Sequence, residues 1–302
     1  MNASKINITE VIIKTLNSLF ENLFSSIDNN IYTVLDDITF INSDILKDMF
    51  FKNIFGTNSQ SGILLIVNSL LVGIVIYYII RLLYAHFLSI EIEKPIQFIF
   101  KLLFFSIIIN CSFFICEQFI TINSYVSSSI REIGESLFKI NISFSELVKK
   151  LNSTINITNS NFNVFSLDGI IKSFISIELL NLVFVQSLRY VLVKIFILIT
   201  PFALLSLINK STSWFFKSWF RTIFSLLIIQ SFISIILLIT FSINSTSPNI
   251  LTKLMYIGSL YAIIKSNSYL KDLIGGISTN ISTNFYSLKY KIIFTSIILD
   301  WR

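Results

Sequence analysis

Long stretches without a charged residue limit what this chain can fold into more than any other feature of its sequence. Residues 222–252 contain no Lys, Arg, Asp or Glu, and neither do residues 62–80. A helix of 19 residues at 1.5 Å per residue spans about 30 Å, the thickness of the hydrocarbon core of a bilayer. Charged residues make up 13% of the chain, about half their share in soluble domains. The chain is therefore predicted to be an all-α, polytopic membrane protein.

Hydropathy along the chain predicts about five transmembrane helices. Three of them lie at residues 62–80, 96–116 and 222–241. The stretch 169–208 is twice as long as one span needs, so we expect a tight helical hairpin there, with its break at residues 187–190 around Arg189. Only eleven residues separate Lys253 from Lys265, which favours an interfacial or buried helix over a sixth span.

The same pattern divides the chain into five regions. They are an extramembrane region of N-terminal amphipathic helices (1–61), two transmembrane helices (62–116), an extracytoplasmic loop (117–168), a transmembrane bundle with a Trp-rich link and a short helix (169–265), and a basic C-terminal tail (266–302). Apolar residues recur at helical spacing between residues 8 and 24, which predicts the first amphipathic helix. The loop is predicted because residues 117–168 are largely polar, with Asn, Ser and Thr dominant in residues 141–163 and an amphipathic piece around residues 126–140.

Side chains that could carry out catalysis or hold a metal ion are scarce. His86 is the single histidine, and Cys111 and Cys116 lie in one apolar run without a further ligand beside them. The sequence has no Gly-rich phosphate loop and no pair of carboxylates at a useful spacing. It therefore predicts no catalytic residue, no cofactor and no metal site, and we do not expect an enzyme.

Polar residues interrupt the apolar sequence of the predicted third span. At about 100° per residue, Asn181 and Gln186 lie within about 80° of Glu178 on either side, so all three face one sector of the helix. A carboxylate in the membrane must face protein or water. One interpretation is a polar stripe, completed by Lys194, that lines a conduit or a proton path. The other, which we favour, is a structural ion pair between Glu178 and Lys194 or Arg189 of the next helix.

An aromatic and basic segment links the last two predicted spans of this region. Trp214 and Trp219 lie five residues apart, with Lys210, Lys217 and Arg221 around them. Aromatic rings and cations together are typical of the boundary between membrane and water. The segment is therefore expected to anchor the chain at that boundary, and Trp214, Lys217 and Trp219 are also candidates for contact with a partner.

Two stretches of the second half carry a resemblance to a known family. Residues 189–239 read RYVLVKIFILITPFALLSLINKSTSWFFKSWFRTIFSLLIIQSFISIILLI, a span with a central Pro201, a small polar turn and a Trp-x-x-x-x-Trp link into the next span. Residues 253–279 read KLMYIGSLYAIIKSNSYLKDLIGGIST, with Gly275 and Gly276 as further interface candidates. These features resemble the TrbL-type conjugal transfer proteins, which are polytopic inner-membrane subunits of type IV secretion systems. The second stretch is similar to clostridial members.

The resemblance implies a structural, channel-forming subunit that helps to pass DNA or protein across the plasma membrane of a bacterium. Its partners would be the lipid bilayer, further copies of the chain, other channel subunits, separate cytoplasmic ATPases and DNA in transit. The central loop and the third span would lie near the transported molecule. Two alternatives are a small secondary transporter or ion channel that uses Glu178, and a structural membrane protein without a conduit.

Charge alone leaves the orientation of the chain open. The family layout implies an N-terminus outside and a C-terminus in the cytoplasm. With five spans, this layout places Arg81 and Lys101 on the cytoplasmic side but Lys210, Lys217 and Arg221 on the outer side. The last three are unexpected there, because Lys and Arg are enriched in cytoplasmic loops.

Overall fold

The computed structural model describes residues 11–15, 17–19, 34–57, 61–88, 93–155, 166–243 and 250–274. Within these ranges the chain is helical and forms no strand, so the predicted all-α class is confirmed. Of the predicted first amphipathic helix, residues 11–15 and 17–19 are helical, and its other residues lie outside the described ranges. The same holds for the C-terminal tail beyond residue 274.

Nine α-helices from residue 34 onward are named here in chain order. They are α1 (34–39), α2 (Met49–Phe55), α3 (Ile63–Leu88), α4 (Pro95–Asn110), α5 (Ser112–Phe138), α6 (Phe144–Ile155), α7 (Leu167–Leu205), α8 (Ser213–Ser242) and α9 (Ile250–Ile274). Local sequence explains several helix ends. Asp48 accepts a hydrogen bond from the backbone N–H of Phe50 at the start of α2, and Gly56 ends α2 with a φ of 96°. Pro95 occupies the first turn of α4, where no intrahelical N–H is needed.

Three of these helices are long and apolar enough to cross a membrane. They are α3, α7 with the short turn that follows it (Gly169–Ile208), and α8. Helices α4 and α5 meet with a bend of 57° and form a fourth crossing if the pair acts as one span. The described part of the chain is therefore compatible with a multi-pass membrane protein.

The expected hairpin at residues 187–190 is not present. Helix α7 runs without a break from Leu167 to Leu205, and Arg189 lies within it. The break was predicted because the apolar stretch is about twice as long as one span needs, and it was placed at the charge of Arg189. The protein instead buries Arg189 against neighbouring segments, which removes the need for a turn. At 1.5 Å per residue, α7 is about 58 Å long, so it must tilt strongly or project beyond a bilayer core of about 30 Å.

The region predicted as an extracytoplasmic loop is also largely helical. Helix α5 continues to Phe138 and α6 covers residues 144–155, whereas residues 156–165 lie outside the described part. The polar residues of α5 do not mark a loop, because several of them face the bundle. The hydroxyls of Ser127 and Ser234 lie 2.7 Å apart and share a hydrogen bond, and the Asn123 amide donates to the Leu227 carbonyl at 2.8 Å.

Helix α8 is the centre of the bundle and α3 lies at its edge. Of the apolar span of α8, 61% is buried inside the protein, compared with 17% for α3. One face of α8 packs against α5, and the others contact α7 and α9. Helix α9, predicted as a short helix, extends to Ile274 and contributes the fully buried Tyr256 to the core.

Helices α3 and α7 run in the same direction. Leu64, at the start of α3, packs against the cluster that contains Ile197, and Leu71 packs with Ile208 at the end of α7. The end of α3, the start of α4 and the turn between α7 and α8 therefore lie at one end of the bundle. This corrects the expected separation of Lys210 from Arg81 and Lys101, which followed from the hairpin that is absent.

Residues 34–57, called the N-terminal segment below, pack on the bundle as an irregular strip. The segment buries Leu35, Ile41, Leu46 and Phe55 completely or almost completely. It ends where Gly56 approaches Gly62, so closely that a side chain on Gly62 would lie 2.6 Å from the Gly56 Cα.

Candidate functional site

The most unusual group in the interior is the guanidinium of Arg189, which is 1% exposed. Its Nε donates a hydrogen bond to the Leu226 carbonyl at 2.8 Å. Its Nη1 donates to the Thr39 carbonyl at 3.0 Å and to Gln186 Oε1 at 2.9 Å, and its Nη2 donates to Gln230 Oε1 at 3.3 Å. The guanidinium thus joins three parts of the protein, namely α7, α8 and the N-terminal segment.

All of these partners are neutral oxygens. Among the described residues, no carboxylate lies within ion-pair distance of Arg189. A guanidinium can spread its charge over several acceptors in one plane, which makes arginine the cation best suited to such a place. The arrangement is nevertheless costly unless every contact stays in place, because the charge is removed from water.

The local sequence explains how the cluster around Arg189 is assembled. Gln186 precedes Arg189 by three residues, so both side chains share one face of α7. Gln230 faces them from α8, and the side chains of Gln186 and Gln230 are both buried. Its Oε1 also accepts a hydrogen bond from the backbone N–H of Ile41 at 3.0 Å. One glutamine oxygen therefore connects the guanidinium to the N-terminal segment.

A second polar contact fixes the start of the N-terminal segment. Asp36 Oδ1 accepts a hydrogen bond from the N–H of Phe144, the first residue of α6, at 2.9 Å, and Oδ2 accepts one from Ser145 at 3.5 Å. Arg131 lies nearby, with its guanidinium carbon 4.4 Å from the centre of the Phe40 ring. Burial raises the pKa of Asp36, and the two hydrogen bonds and the charge of Arg131 offset this only in part.

We expect Asp36 to make the fold less stable as the pH rises. A carboxyl group with a raised pKa in the folded state contributes its full stability below its unfolded-state pKa, and this contribution is lost as the pH rises through the raised value. Asp36→Asn keeps an acceptor for the Phe144 N–H without the charge. Its Tm should vary less with pH than that of the wild type and exceed it above the raised pKa by a few degrees at most.

Thermal unfolding in detergent between about pH 4 and pH 8 tests this expectation, because an unperturbed aspartate titrates near the lower limit. Asp272→Asn is the control for loss of one carboxylate, because Asp272 is exposed on α9, whereas the charge of Asp37 itself helps to raise the pKa of Asp36. Identical slopes of Tm against pH in wild type and Asp36→Asn would contradict the assignment.

The predicted polar stripe is only partly brought together. Gln186 joins Arg189, whereas Glu178 lies eight residues before Gln186 on the same helix, about 12 Å away along its axis. Glu178 and Asn181 are half-buried. Lys194 lies 5.2 Å from the ring centre of Tyr190 rather than near Glu178.

The favoured ion pair of Glu178 with Lys194 or Arg189 is therefore wrong. The three residues share one helix, and Arg189 and Lys194 follow Glu178 by about 16 Å and 24 Å along its axis. Glu178 Oε2 is buried and has no hydrogen-bond partner among the described residues.

The two tryptophans of the aromatic segment have different environments. Trp219 is 5% exposed, and its indole N–H donates to the Phe196 carbonyl at 2.9 Å. This corrects its assignment as a partner contact, because the indole is part of the core. Trp214 and Lys217 are exposed on the opposite face of α8, so their role as partner contacts stays a prediction. The other two interface candidates, Gly275 and Gly276, lie outside the described residues.

Sequence reasoning missed Gln230 and Thr39 and misread Arg189 as part of a turn. One signal was available in the sequence. Gln186 and Gln230 are isolated amides in two long apolar runs, and Arg189 is the only cation between Lys172 and Lys194. Buried polar groups need partners, so these amides and this cation could have been matched with one another. Thr39 contributes only its backbone carbonyl, which no sequence pattern reveals.

Other reactive side chains do not assemble into a second site. Within the described ranges, no three His, Cys, Asp or Glu side chains come together in a way that could hold a metal ion. The thiol of Cys116 lies 3.1 Å from the Thr200 hydroxyl in the interior, whereas Cys111 is exposed. The predicted absence of catalytic, cofactor and metal sites stays a prediction for the whole chain.

The described residues form an all-helical bundle that is compatible with a multi-pass membrane protein, and the guanidinium of Arg189 is buried inside it. No family model, no curated protein and no solved structure matches this chain significantly.

Proposed function

We propose that this chain is a structural, channel-forming subunit of a type IV secretion or conjugation apparatus in the plasma membrane of a bacterium. The observation that carries the proposal is the apolar surface of α3 and α4. Only 17% of the span of α3 is buried inside the protein, and exposed aliphatic and aromatic residues cover α3 and α4. Such a surface requires lipid or other membrane subunits around it.

The resemblance to TrbL-type proteins gives the proposal its specific form. Its longer stretch, residues 189–239, begins at Arg189 and covers the second half of α7 and almost all of α8. A subunit of such an apparatus would contact further copies, other channel subunits and cytoplasmic ATPases, with DNA or protein as the transported molecule. The exposed face of α8 with Trp214 and Lys217 is the candidate contact surface.

The orientation can be proposed from the end of the bundle where α3 ends and α8 begins. Arg81, Lys101 and Lys210 all lie at this end. Cytoplasmic loops are enriched in Lys and Arg, so we assign this end to the cytoplasm and the N-terminal segment to the outside. With α3, the bent pair α4–α5, α7 and α8 as four spans, a cytoplasmic C-terminus requires α9 or later residues to cross as a fifth span.

Isolation of the tagged protein from its native membrane in a gentle detergent tests the proposal. Mass spectrometry should identify secretion ATPases and other channel subunits in the isolated complex. A tagged, unrelated multi-pass protein from the same membrane is the control. Recovery of the chain alone, as a small monodisperse particle, would count against a role in a secretion apparatus.

One observation favours the alternative of a proton-coupled transporter or channel. Glu178 Oε2 is buried and unpartnered among the described residues, and buried acids in membrane helices often take part in proton relays. Under the secretion proposal, Glu178→Gln should assemble normally. Its Tm should equal or exceed that of the wild type, because the amide is uncharged and the buried Oε2 of Glu178 has no hydrogen-bond partner among the described residues. Transfer of DNA or protein should stay within about twofold of the wild type, as for a mutation that alters no subunit contact.

Transfer assays and Tm measurements on Glu178→Gln check this expectation. Glu132→Gln, at an exposed position of α5, is the control for loss of one carboxylate. Loss of proton flux in proteoliposomes with intact assembly would instead support the transporter and contradict the secretion proposal.

A further inference from the structure

A cavity of about 910 Å³ opens at the end of the bundle that holds the end of α3, the start of α4 and the turn between α7 and α8. Three cations line it, namely Arg81, Lys101 and Lys210, together with a single carboxylate, that of Glu93. Its volume falls in the range of small-molecule sites in proteins. Neither the buried cluster around Arg189 nor the predicted polar stripe includes any of these residues.

The charges of this cavity are unbalanced. Lys101 Nζ lies 3.5 Å from Glu93 Oε2, so the one carboxylate already has a cation beside it. Among the described residues, no acid lies within ion-pair distance of Arg81 or Lys210. Both side chains are exposed to the opening. Two cations on different elements are thus available to a ligand of negative charge.

The wall between α3 and α4 is held in place before any ligand binds. The Tyr78 ring stacks on the Phe98 ring with centres 3.7 Å apart and an angle of 5° between the planes. The Tyr78 hydroxyl donates a hydrogen bond to the Glu93 carbonyl at 2.7 Å. These contacts fix the distance between Arg81 on α3 and Lys101 on α4, so a ligand need not order this wall.

Part of the cavity lining is apolar, and α3 exposes further apolar side chains beside it. Ile74, Phe98 and Ile208 belong to this apolar part, and the exposed Tyr77 also lines the cavity. An amphipathic ring at this place is typical of the depth of lipid headgroups. The cavity therefore offers cations to a headgroup and an apolar surface to the acyl chains below it.

From this arrangement we propose that the cavity binds an anionic phospholipid of the surrounding bilayer. Arg81 and Lys210 contact the phosphate, and Lys101, partly neutralised by Glu93, adds a weaker attraction. Arginine binds phosphate oxygens with two parallel hydrogen bonds, and basic pockets between membrane helices favour acidic headgroups. The proposal does not depend on the secretion function, because any multi-pass protein with this cavity would bind such a lipid.

Binding is tested with the full chain purified in a neutral detergent and titrated with phosphatidylglycerol or cardiolipin, followed by native mass spectrometry. Each basic residue near an anionic surface contributes a factor of about five in affinity. The double variant Arg81→Gln/Lys210→Gln should therefore bind these lipids about 25-fold more weakly than the wild type. Phosphatidylcholine should bind weakly to both proteins.

The control Lys47→Gln/Lys149→Gln removes two exposed cations elsewhere and should leave the affinity unchanged. The elution profile in size-exclusion chromatography and the helix content show whether each variant is folded. If the double variant does not fold, the single variants Arg81→Gln and Lys210→Gln are measured in its place. Equal losses in the control and test variants would overturn the proposal. Displacement of the lipid by millimolar inorganic phosphate would assign the cavity to a free phosphate compound. Displacement by a single-stranded oligonucleotide would assign it to nucleic acid, and either result would refute the lipid site.

Discussion

Replacing Arg189 with methionine should lower the free energy of unfolding by about 3–5 kcal/mol, because it leaves buried acceptors without their donor. Methionine has a similar length and fills much of the same space, so the loss of packing is small. The Thr39 carbonyl and Gln186 Oε1 would each lose the contact that Arg189 makes with them. An unsatisfied buried acceptor costs about 1–3 kcal/mol, and two of them account for most of the expected loss.

The same replacement should release the N-terminal segment before the bundle unfolds. Arg189 and Gln230 hold this segment through Thr39 and Ile41. We therefore expect a protease to cleave the Arg189→Met variant within residues 34–57 at a protease concentration that leaves the wild type intact. The variant should also have a lower Tm in detergent. Arg221→Met is the matched control, because Arg221 is exposed on α8 and its loss should change the Tm little.

A second measurement separates the hydrogen bonds of Arg189 from its bulk. Gln186→Leu alone should destabilise the protein, but in the Arg189→Met background it should cost little or even stabilise, because it removes an acceptor that has lost its donor. A wild-type Tm for Arg189→Met, or additive effects of the two replacements, would show that the cluster does not stabilise the fold.

Hydropathy could predict the helices that face lipid but not the path of the chain around a buried charge. Helices α3 and α8 follow from their uncharged runs, since such a run can satisfy its backbone only as a helix in a membrane. The charge of Arg189 within an apolar run is compatible with two structures, a turn at the membrane surface or a buried guanidinium bonded to neutral oxygens. The choice depends on Gln230 and on the carbonyl of Thr39, which lie 41 and 150 residues away in sequence.

In the central region, residues 117–168, the sequence led to the opposite mistake, because helical residues were predicted to form a loop. Its many Ser and Asn residues predicted a loop, yet in α5 they make contacts between helices. Small polar side chains allow helices to approach closely and to bond across the interface, so inside a membrane bundle a polar composition does not indicate exposure to water. The pair of Ser127 with Ser234 and the contact of Asn123 with α8 are of this kind. Composition alone could not distinguish them from loop residues.

Gly134 lies where α5 packs against Leu238 of α8 and against Ile142, which follows α5. A side-chain Cβ built on Gly134 would lie 2.6 Å from Ile142 Cγ1 and 2.7 Å from Leu238 Cδ1. Real Cβ atoms do not come this close to other carbons, so with any larger residue the side chain of Ile142 or Leu238 must shift.

Replacing Gly134 with valine should therefore lower the free energy of unfolding by about 1–3 kcal/mol, the usual cost of overfilling a packed interior. Gly73→Val is the control, because it places the same residue in the interior of α3, where no atom lies within 4 Å of the added Cβ. Valine is the better helix former, so Gly73→Val should be neutral or slightly stabilising. Unfolding of both variants in the same detergent separates crowding from helix propensity. Equal stability of the two variants would mean that α5 does not pack against α8 at Gly134.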